Sequence, residues 1–384
     1  MTVPKRTPLF DDVELYGGPA RQTESSIHFL TRAKGEAWQQ VRTLLETWYA
    51  SFPDPTGDLR ARFRQDDPRQ HVAAWWELYT YTLFEQLGYV VEVHPSVAGT
   101  SNEPDFRVAT DTETMYVECA VLFEDDAEAV SDSQAWLFDC VNDANSADFI
   151  GDITVEETGT LRPRKRDIVG PIDRWLATLD WHDVSAQVGE TGEAPEETFE
   201  IRDWRFTLGA WPVRADKRGE VGRFIGSSLV GDARPRSDEK RLRDLIAKKG
   251  ARYGAAQPLV LAVLTWSSFT DERDLTNALF GSIVAMYYEH SSIQPRLVRQ
   301  PDGYWRPDNQ QKGARLGGVL FGTHFLKPWN PVSTLPLLWI NPWATNRLQP
   351  LSPFGIRTIN DAGVMSSRDP TRLATDVFGV DVGR

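Results

Sequence analysis

Hydrophobic side chains follow helical spacing over two early segments of the chain. In 36–52 they recur every three or four residues until Pro53, and in 68–87 they line one face until Gly88. Proline cannot continue a helix and glycine commonly ends one. We therefore predict a helix over each segment. Glu77 falls at the edge of the apolar face of the second helix.

Three short apolar runs after the second helix predict strands. They cover 89–93, 106–109 and 115–122, and a polar turn joins the last two. Asp105 immediately precedes the second strand, and Glu118 lies inside the third. Because consecutive strands joined by a short turn pair with each other, the two acids are expected near one edge of a sheet.

The pattern beyond residue 123 alternates between apolar helices and apolar strands, which predicts an α/β fold. The predicted elements are helices over 135–142, 171–179, 237–253 and 275–288, a strand or hairpin over 199–212, and apolar strand segments over 258–266, 316–325 and 335–340.

The order of elements divides the chain into three parts. Residues 1–67 form an N-terminal helical segment, 68–266 form the core, and 267–384 form a C-terminal extension packed on the core. About residues 124–236 interrupt the core. They contain no linker long enough to indicate a separate domain, so we interpret them as an insertion in one fold.

The composition favours a large packed core and a cytoplasmic location. Hydrophobic residues make up 41% of the chain and there are fourteen tryptophans, which argues against disorder. No apolar run reaches the roughly 18 residues that cross a bilayer, so no membrane partner is expected. The first thirty residues lack a signal-peptide pattern. The two cysteines, Cys119 and Cys140, match neither a disulfide framework nor a zinc site.

The net charge of −13 weakens, but does not exclude, an interaction with nucleic acid. Binding depends on local charge, and residues 234–252 carry eight basic side chains against three acidic ones. Residues 161–166 form a second basic run. Such a run is usually a solvated surface, and it becomes a phosphate contact only if the fold brings it to the substrate.

Three acids on a helix and two adjacent strands could hold a divalent metal against a phosphate. These are Glu77, Asp105 and Glu118. In this order, with Pro104 before Asp105, they resemble the PD-(D/E)xK, or restriction-endonuclease-like, nuclease superfamily. The wider chain is similar to a largely uncharacterised bacterial family with that core, through Ala278-Leu279-Phe280-Gly281 and Asn341-Pro342-Trp343-Ala344. The resemblance implies a mixed sheet flanked by helices.

The resemblance also implies a role for each matched residue. Asp105 and Glu118 would coordinate Mg²⁺ (or Mn²⁺), with the backbone carbonyl of Cys119 as a third oxygen ligand. Glu77 would hold a water of the ion from the helix. Hard oxygen ligands suit Mg²⁺, which keeps several waters and accepts phosphate oxygens. The implied activity is hydrolysis of DNA phosphodiester bonds in defence or repair, with DNA favoured over RNA as the substrate. The oligomeric state stays open, and a homodimer is one candidate.

The chain departs from the superfamily at the lysine that usually lies two residues after the glutamate. That position is Ala120, which carries no charge. Lys249 lies on the apolar stripe of the predicted helix 237–253, and we hypothesise that it supplies the missing amine. Lys249 and Tyr253 also resemble the Gln-x-x-x-Tyr element of RecB-like nucleases, with lysine in place of glutamine.

Other interpretations of the same residues stay open. Pro104-Asp105 is also a common turn, Glu77 could be an exposed helix acid, and Lys249 could extend from a buried stripe to water. The protein could therefore be a degenerate nuclease that binds nucleic acid or a protein partner without cleavage. It could also be an assembly protein with a tryptophan-rich surface formed by Trp305, Trp329, Trp339 and Trp343.

Overall fold

Strands from both halves of the sequence pair in one sheet. The computed structural model describes residues 6–97, 99, 101–124, 131–144, 146–220, 222–230, 237–250, 257–267, 270–286, 296–306, 313–360 and 363–380. Tyr253, which the sequence analysis paired with Lys249, lies outside these residues.

The helices and strands have the following bounds. The helices are α1 (Ser26–Arg32), α2 (Glu36–Ser51), α3 (Asp58–Phe63), α4 (Pro68–Gln86), α5 (Asp132–Asn142), α6 (Lys165–Leu176), α7 (Trp181–Thr191), α8 (Glu239–Gly250), α9 (Glu272–Phe280) and α10 (Ala374–Phe378), with short 3-10 turns at Ala215–Lys217 and Gly313–Arg315. The strands are β1 (Val90–Val93), β2 (Phe106–Ala109), β3 (Thr114–Leu122), β4 (Phe149–Glu157), β5 (Glu196–Ile201), β6 (Trp204–Pro212), β7 (Ile225–Val230), β8 (Leu259–Thr265), β9 (Ile283–Met286), β10 (Arg296–Arg299), β11 (Leu316–Gly322), β12 (Leu337–Ile340), β13 (Gly355–Ile359) and β14 (Met365–Arg368).

Contacts between residues divide the chain into two units. The first contains Met1–Leu15, Leu30–Glu124 and Arg236–Arg384, and the second contains Tyr16–Phe29 and Asp125–Pro235. The sheet of the first unit has eight strands in the order β1-β2-β3-β8-β11-β12-β13-β14. The predicted α/β fold with a mixed sheet flanked by helices is confirmed. Residues after 267 contribute four of the eight strands to this sheet.

The centre of the large sheet is parallel and fully buried. β3 pairs in parallel with β8, and β8 pairs in parallel with β11. Every residue of β8 is buried. A strand covered on both faces reads as a continuous apolar run, which is why the sequence pattern predicts it well. The edges on both sides are antiparallel, beginning with β1–β2–β3 on one side.

Helix α4 is buried on nearly all sides, and not only on the one face that its spacing predicted. Asp67 caps its N-terminus by accepting from the Arg69 backbone N–H, and Gly88 follows its end with a φ of 85°. α4 contacts β1 and β3 on one side and α2, α3 and α10 on the other. The Trp76 indole N–H donates to the Ala262 carbonyl at 2.9 Å, which joins the helix to β8.

The opposite face of the sheet is covered by α8 and α9. Ala120 and Leu122 of β3 pack in one cluster with Leu242 and Ile246 of α8. Because side chains alternate along a strand, Glu118 lies on this same face. The packing of α8 therefore brings its last turn over the middle of β3.

Two predicted helices have different bounds in the structure. The prediction of a helix over 275–288 is wrong after Phe280, because Gly281 has a φ of 101° and a Cβ there would collide with the Gln300 carbonyl oxygen. The helix predicted over 171–179 begins earlier, at Lys165, with Pro171 inside it. Its apolar residues on both sides of the proline pack in one core, which outweighs the cost of the proline.

The second unit has its own sheet and core. Its strands lie in the order β5-β6-β4-β7, and β5 and β6 form the hairpin that was one of the two alternatives predicted over 199–212. Apolar side chains of α5, α6 and α7 pack on one face of this sheet. Strand β4 is not among the elements predicted from the sequence, although its buried positions Phe149, Gly151, Ile153 and Val155 alternate.

Burial of His71 predicts a loss of stability in mild acid. Its ring is 1% exposed and contacts the Phe63 carbonyl through Nδ1, and burial lowers its pKa to about 4. Between an unfolded pKa of about 6.5 and this value, the unfolded chain binds a proton that the folded chain does not. Stability from this residue is therefore present above pH 6.5 and falls as the pH decreases.

Because of His71, we expect the free energy of unfolding to fall by about 2 kcal/mol when the pH decreases from 7.5 to 5. Urea unfolding of the wild type and of His71→Gln at both pH values measures this component. The variant should be less stable at pH 7.5 and should lose less on acidification. An identical pH dependence in the two proteins would contradict the assignment.

Candidate active site

Two carboxylates face each other at the start of the β2–β3 hairpin. Phe106 pairs with Val117 in the antiparallel register, so Asp105, directly before β2, lies opposite Glu118 of β3. One oxygen of Asp105, Oδ2, accepts the backbone N–H of Cys119 at 2.6 Å. The short hairpin between β2 and β3 thus fixes both acids, and Glu118 is only 3% exposed.

Negative charge is concentrated around Asp105. The pKa of Asp105 is raised to about 7, first by burial and then by the nearby Glu118 and Glu77 carboxylates, while the Cys119 N–H and the Lys249 amine lower it. The positive charge and the hydrogen bond that lower the pKa of Asp105 therefore do not fully offset the rise caused by burial and by the neighbouring negative charges. A further cation near Asp105 would favour its ionised form.

Lys249 reaches Glu118 from the last turn of α8. Its amine, Nζ, donates to Glu118 Oε1 at 2.7 Å. The Lys249 side chain is 24% exposed and that of Glu118 is 4% exposed, so the pair lies at the boundary between core and solvent. The small Ala120 side chain lies one position along the same face of β3. The amine therefore comes from a helix over the strand and not from the strand itself.

Glu77 is neither exposed nor free in the structure. Arg62 of α3 donates to both of its oxygens, from Nη1 to Oε1 at 2.8 Å and from Nη2 to Oε2 at 2.6 Å. The same guanidinium donates through Nε to Asp58 at 2.9 Å. This pairing raises the pKa of Arg62 above its usual value, with Glu77 as the main cause. The alternative of an exposed helix acid is wrong.

Sequence reasoning missed Arg62. Its distance in the chain from Glu77 follows no helical or strand period, because the two residues meet only when α3 packs on α4. The one available signal is the short helical segment before Pro68 that carries three arginines, Arg60, Arg62 and Arg64. That signal does not indicate which arginine faces the acids.

Cys119 enters the site through its backbone only. Its thiol is buried, and burial raises its pKa well above the usual value while the hydroxyl of Thr80 on α4 lowers it slightly. The side chain therefore faces α4, on the opposite side of β3 from Glu118. A buried neutral thiol of this kind is not a reactive nucleophile.

The donor atoms near Asp105 fit a hard divalent ion better than a zinc ion. Among the described residues, no group of three or more histidine, cysteine, aspartate or glutamate side chains is arranged to hold a metal. Two facing carboxylates do remain, Asp105 and Glu118, and Mg²⁺ is commonly held by one or two carboxylates while it keeps several waters. Glu77 could join them only if Arg62 released it.

The charged and aromatic surfaces differ from the sequence expectations in two respects. In the described part of the basic run 234–252, Lys240 and Arg243 pair with acids of α8 and Arg241 pairs with Asp238 directly before it, whereas Lys248 is exposed. The expected tryptophan surface is wrong for Trp305 and Trp339, which are 2% and 0% exposed inside the core.

The run 161–166 belongs to the second unit. Within that unit, Lys165 pairs with Asp143 at 2.9 Å, and the Arg162 guanidinium lies over the Trp136 ring. These contacts fit a structural role for both basic side chains. All four basic side chains of the run, Arg162, Arg164, Lys165 and Arg166, are exposed.

Removing the Lys249 amine should leave Glu118 buried without its cation. We expect Lys249→Met to destabilise the protein by about 2 kcal/mol, somewhat less than a fully buried pair because Lys249 is partly exposed. Lys248→Met is the matched control, and it should change stability by less than about 0.5 kcal/mol. Adding Glu118→Gln to Lys249→Met should restore part of the loss in urea unfolding. Equal effects of the two lysine substitutions would show that the pair contributes nothing.

Comparison with known proteins adds no assignment to this geometry. The chain matched no protein-family model, no curated protein and no solved structure. Within the described ranges, no helix has the length and apolar character needed to cross a membrane.

Proposed function

We propose that this chain is a metal-dependent nuclease that hydrolyses DNA phosphodiester bonds. One observation carries the proposal: the Lys249 amine contacts Glu118 at 2.7 Å, next to the buried Asp105 carboxylate. Two carboxylates and one amine at the boundary of the core are the side chains that such a reaction requires. The resemblance of Glu77, Asp105 and Glu118 to the PD-(D/E)xK superfamily supports the same reaction.

Asp105 and Glu118 would hold Mg²⁺ or Mn²⁺, with the Cys119 carbonyl as a third oxygen donor. When bound, the ion would polarise a phosphoryl oxygen and activate water as the nucleophile. The chain contributes the orientation of the donors. The Cys119 N–H fixes Asp105 Oδ2, and the β2–β3 pairing fixes the spacing of the two acids.

Lys249 would act on the negative charge of the phosphate. Its ammonium can donate to a phosphoryl oxygen while it stays beside Glu118, because an ammonium has three N–H donors and the structure gives one to Glu118 Oε1. A fixed positive charge is most effective where the site excludes water, and Glu118 is almost fully buried. The amine would thus replace the lysine that the superfamily usually has at the position of Ala120.

The proposed substrate is DNA, and the proposed role is a cytoplasmic one such as defence or repair. The protein could carry out this role as a homodimer. Because the net charge is −13, binding would depend on local cations. Lys249, at the end of α8, is such a cation. Binding should therefore weaken steeply with salt.

A specific observation favours a second function, binding without cleavage. Both cations of the site are already paired with acids, Lys249 with Glu118 and Arg62 with Glu77. A site that neutralises itself in this way could be stable without a metal. Such a degenerate nuclease would bind nucleic acid or a protein partner, and it would leave phosphodiester bonds intact.

A cleavage assay separates the two functions. Supercoiled and single-stranded DNA are incubated with Mg²⁺ or Mn²⁺ and with wild type, Asp105→Ala, Lys249→Ala or Lys248→Ala. We expect both site variants to lose about 100-fold or more in rate, because each removes a charge that acts on the reacting phosphate. Lys248→Ala should stay within a few-fold of wild type.

Two outcomes would contradict the nuclease proposal. Cleavage that persists unchanged in Asp105→Ala would come from a contaminant or from another site. No cleavage of either DNA by folded wild type would favour the binding function, and DNA affinity would then be measured with the same four proteins.

A further inference from the structure

The charges around the proposed site do not balance among the side chains. Among the described residues, the carboxylates of Glu77, Asp105 and Glu118 lie with two cations, Arg62 and Lys249, and Arg62 is shared with a fourth carboxylate, that of Asp58. The described residues place no lysine or arginine in an ion pair with Asp105, which instead accepts a backbone N–H. Carboxylates therefore outnumber cations among the described side chains of the site.

A bound divalent ion would offset this excess of negative charge. A phosphodiester would then bring negative charge of its own, which Lys249 and Arg62 are the described cations of the site to meet. Lys249 has an obvious place in the reaction, whereas Arg62 is bound to Glu77 through both of its terminal nitrogens.

Arg62 and Glu77 are placed so that the pair can open. The Arg62 side chain is 25% exposed and that of Glu77 is 14% exposed, so neither is sealed in the core. Arg62 comes from α3, a helix of six residues, and its remaining partner Asp58 is 63% exposed. The planar guanidinium fork fits a phosphate as well as it fits a carboxylate.

We propose that Arg62 is an exchangeable counter-ion of the site. It holds Glu77 while the Asp105–Glu118 pair holds no cation, and it transfers to a phosphodiester oxygen when Glu77 turns to the water shell of a divalent ion. Arg62 is then a phosphate-binding residue and Glu77 a conditional ligand. The inference rests on the proposed nuclease function, and it predicts that metal and Arg62 compete for Glu77.

The competing explanation is a fixed ion pair that only fastens α3 to α4. The two explanations differ in how metal binding responds to substitution. If Arg62 competes with the metal for Glu77, removing it strengthens metal binding only when Glu77 is present. If the pair is fixed and Glu77 never reaches the metal, removing Arg62 changes metal binding only through the loss of its positive charge, by the same factor with and without Glu77.

A double-mutant cycle measured by calorimetric titration with MnCl₂ tests this difference. The proteins are full-length wild type, Arg62→Ala, Glu77→Ala and the double variant, with Arg64→Ala as the matched control because Arg64 pairs with Asp11 instead. We expect Arg62→Ala to tighten Mn²⁺ binding about 10-fold in the wild-type background and less than about 2-fold in the Glu77→Ala background. Equal tightening in both backgrounds would overturn the proposal.

Binding of duplex DNA in Ca²⁺ tests the phosphate contact. We expect Arg62→Ala to weaken this binding about 10-fold, although it strengthens metal binding, and Arg64→Ala to leave it unchanged. Arg62→Lys keeps the charge without the fork and should lie between wild type and Arg62→Ala, which also provides a test if the alanine variant does not fold. Unchanged DNA affinity in both Arg62 variants would overturn the proposal.

Asp105→Ala separates failure of this inference from failure of the proposed function. If Asp105→Ala abolishes Mn²⁺ binding while both Arg62 variants behave like wild type, only the exchange of Arg62 is wrong. If wild type binds no Mn²⁺ that depends on Asp105, both the nuclease function and the exchange of Arg62 are wrong.

Discussion

The site depends on the burial of two like charges at facing positions of paired strands. Asp105 and Glu118 come together because β2 and β3 form a hairpin, and the core around Asp105 raises the free energy of its ionised form. The Lys249 amine and the Cys119 N–H offset part of this cost. These two groups do not offset all of the negative charge. A bound cation would offset the rest directly.

The main fold elements near the site could be predicted from the sequence because their patterns are strong and local. β8 follows a continuous apolar run, β2 alternates between buried and half-buried positions, and α4 begins at Pro68 and ends before Gly88 as predicted. Lys249 could be placed because helical spacing alone puts it on the stripe that faces the sheet. The helix end at Phe280 could not, because it depends on the approach of Gln300 to Gly281.

Arg62 lies beyond local prediction for the same physical reason. Its pairing with Glu77 exists only once α3 and α4 pack together, and neither residue type is unusual at its position. Sequence patterns therefore identify the acids of the site better than the cations that balance them. In α8, Lys240 and Arg243 pair with acids of the same helix, Arg241 pairs with Asp238 directly before it, and Lys249 in the last turn pairs with Glu118. Lysines in that turn also stabilise the helix dipole, so structural and functional roles coincide there.

The central claim is that Asp105 and Glu118 hold a divalent ion beside Lys249. Crystals of the protein grown with Mn²⁺ test it most directly, through anomalous scattering from the ion. The account predicts a peak about 2.2 Å from carboxylate oxygens of both Asp105 and Glu118, with Lys249 still beside Glu118. An anomalous map with no peak between these two carboxylates, at Mn²⁺ concentrations that saturate known magnesium enzymes, would contradict the account.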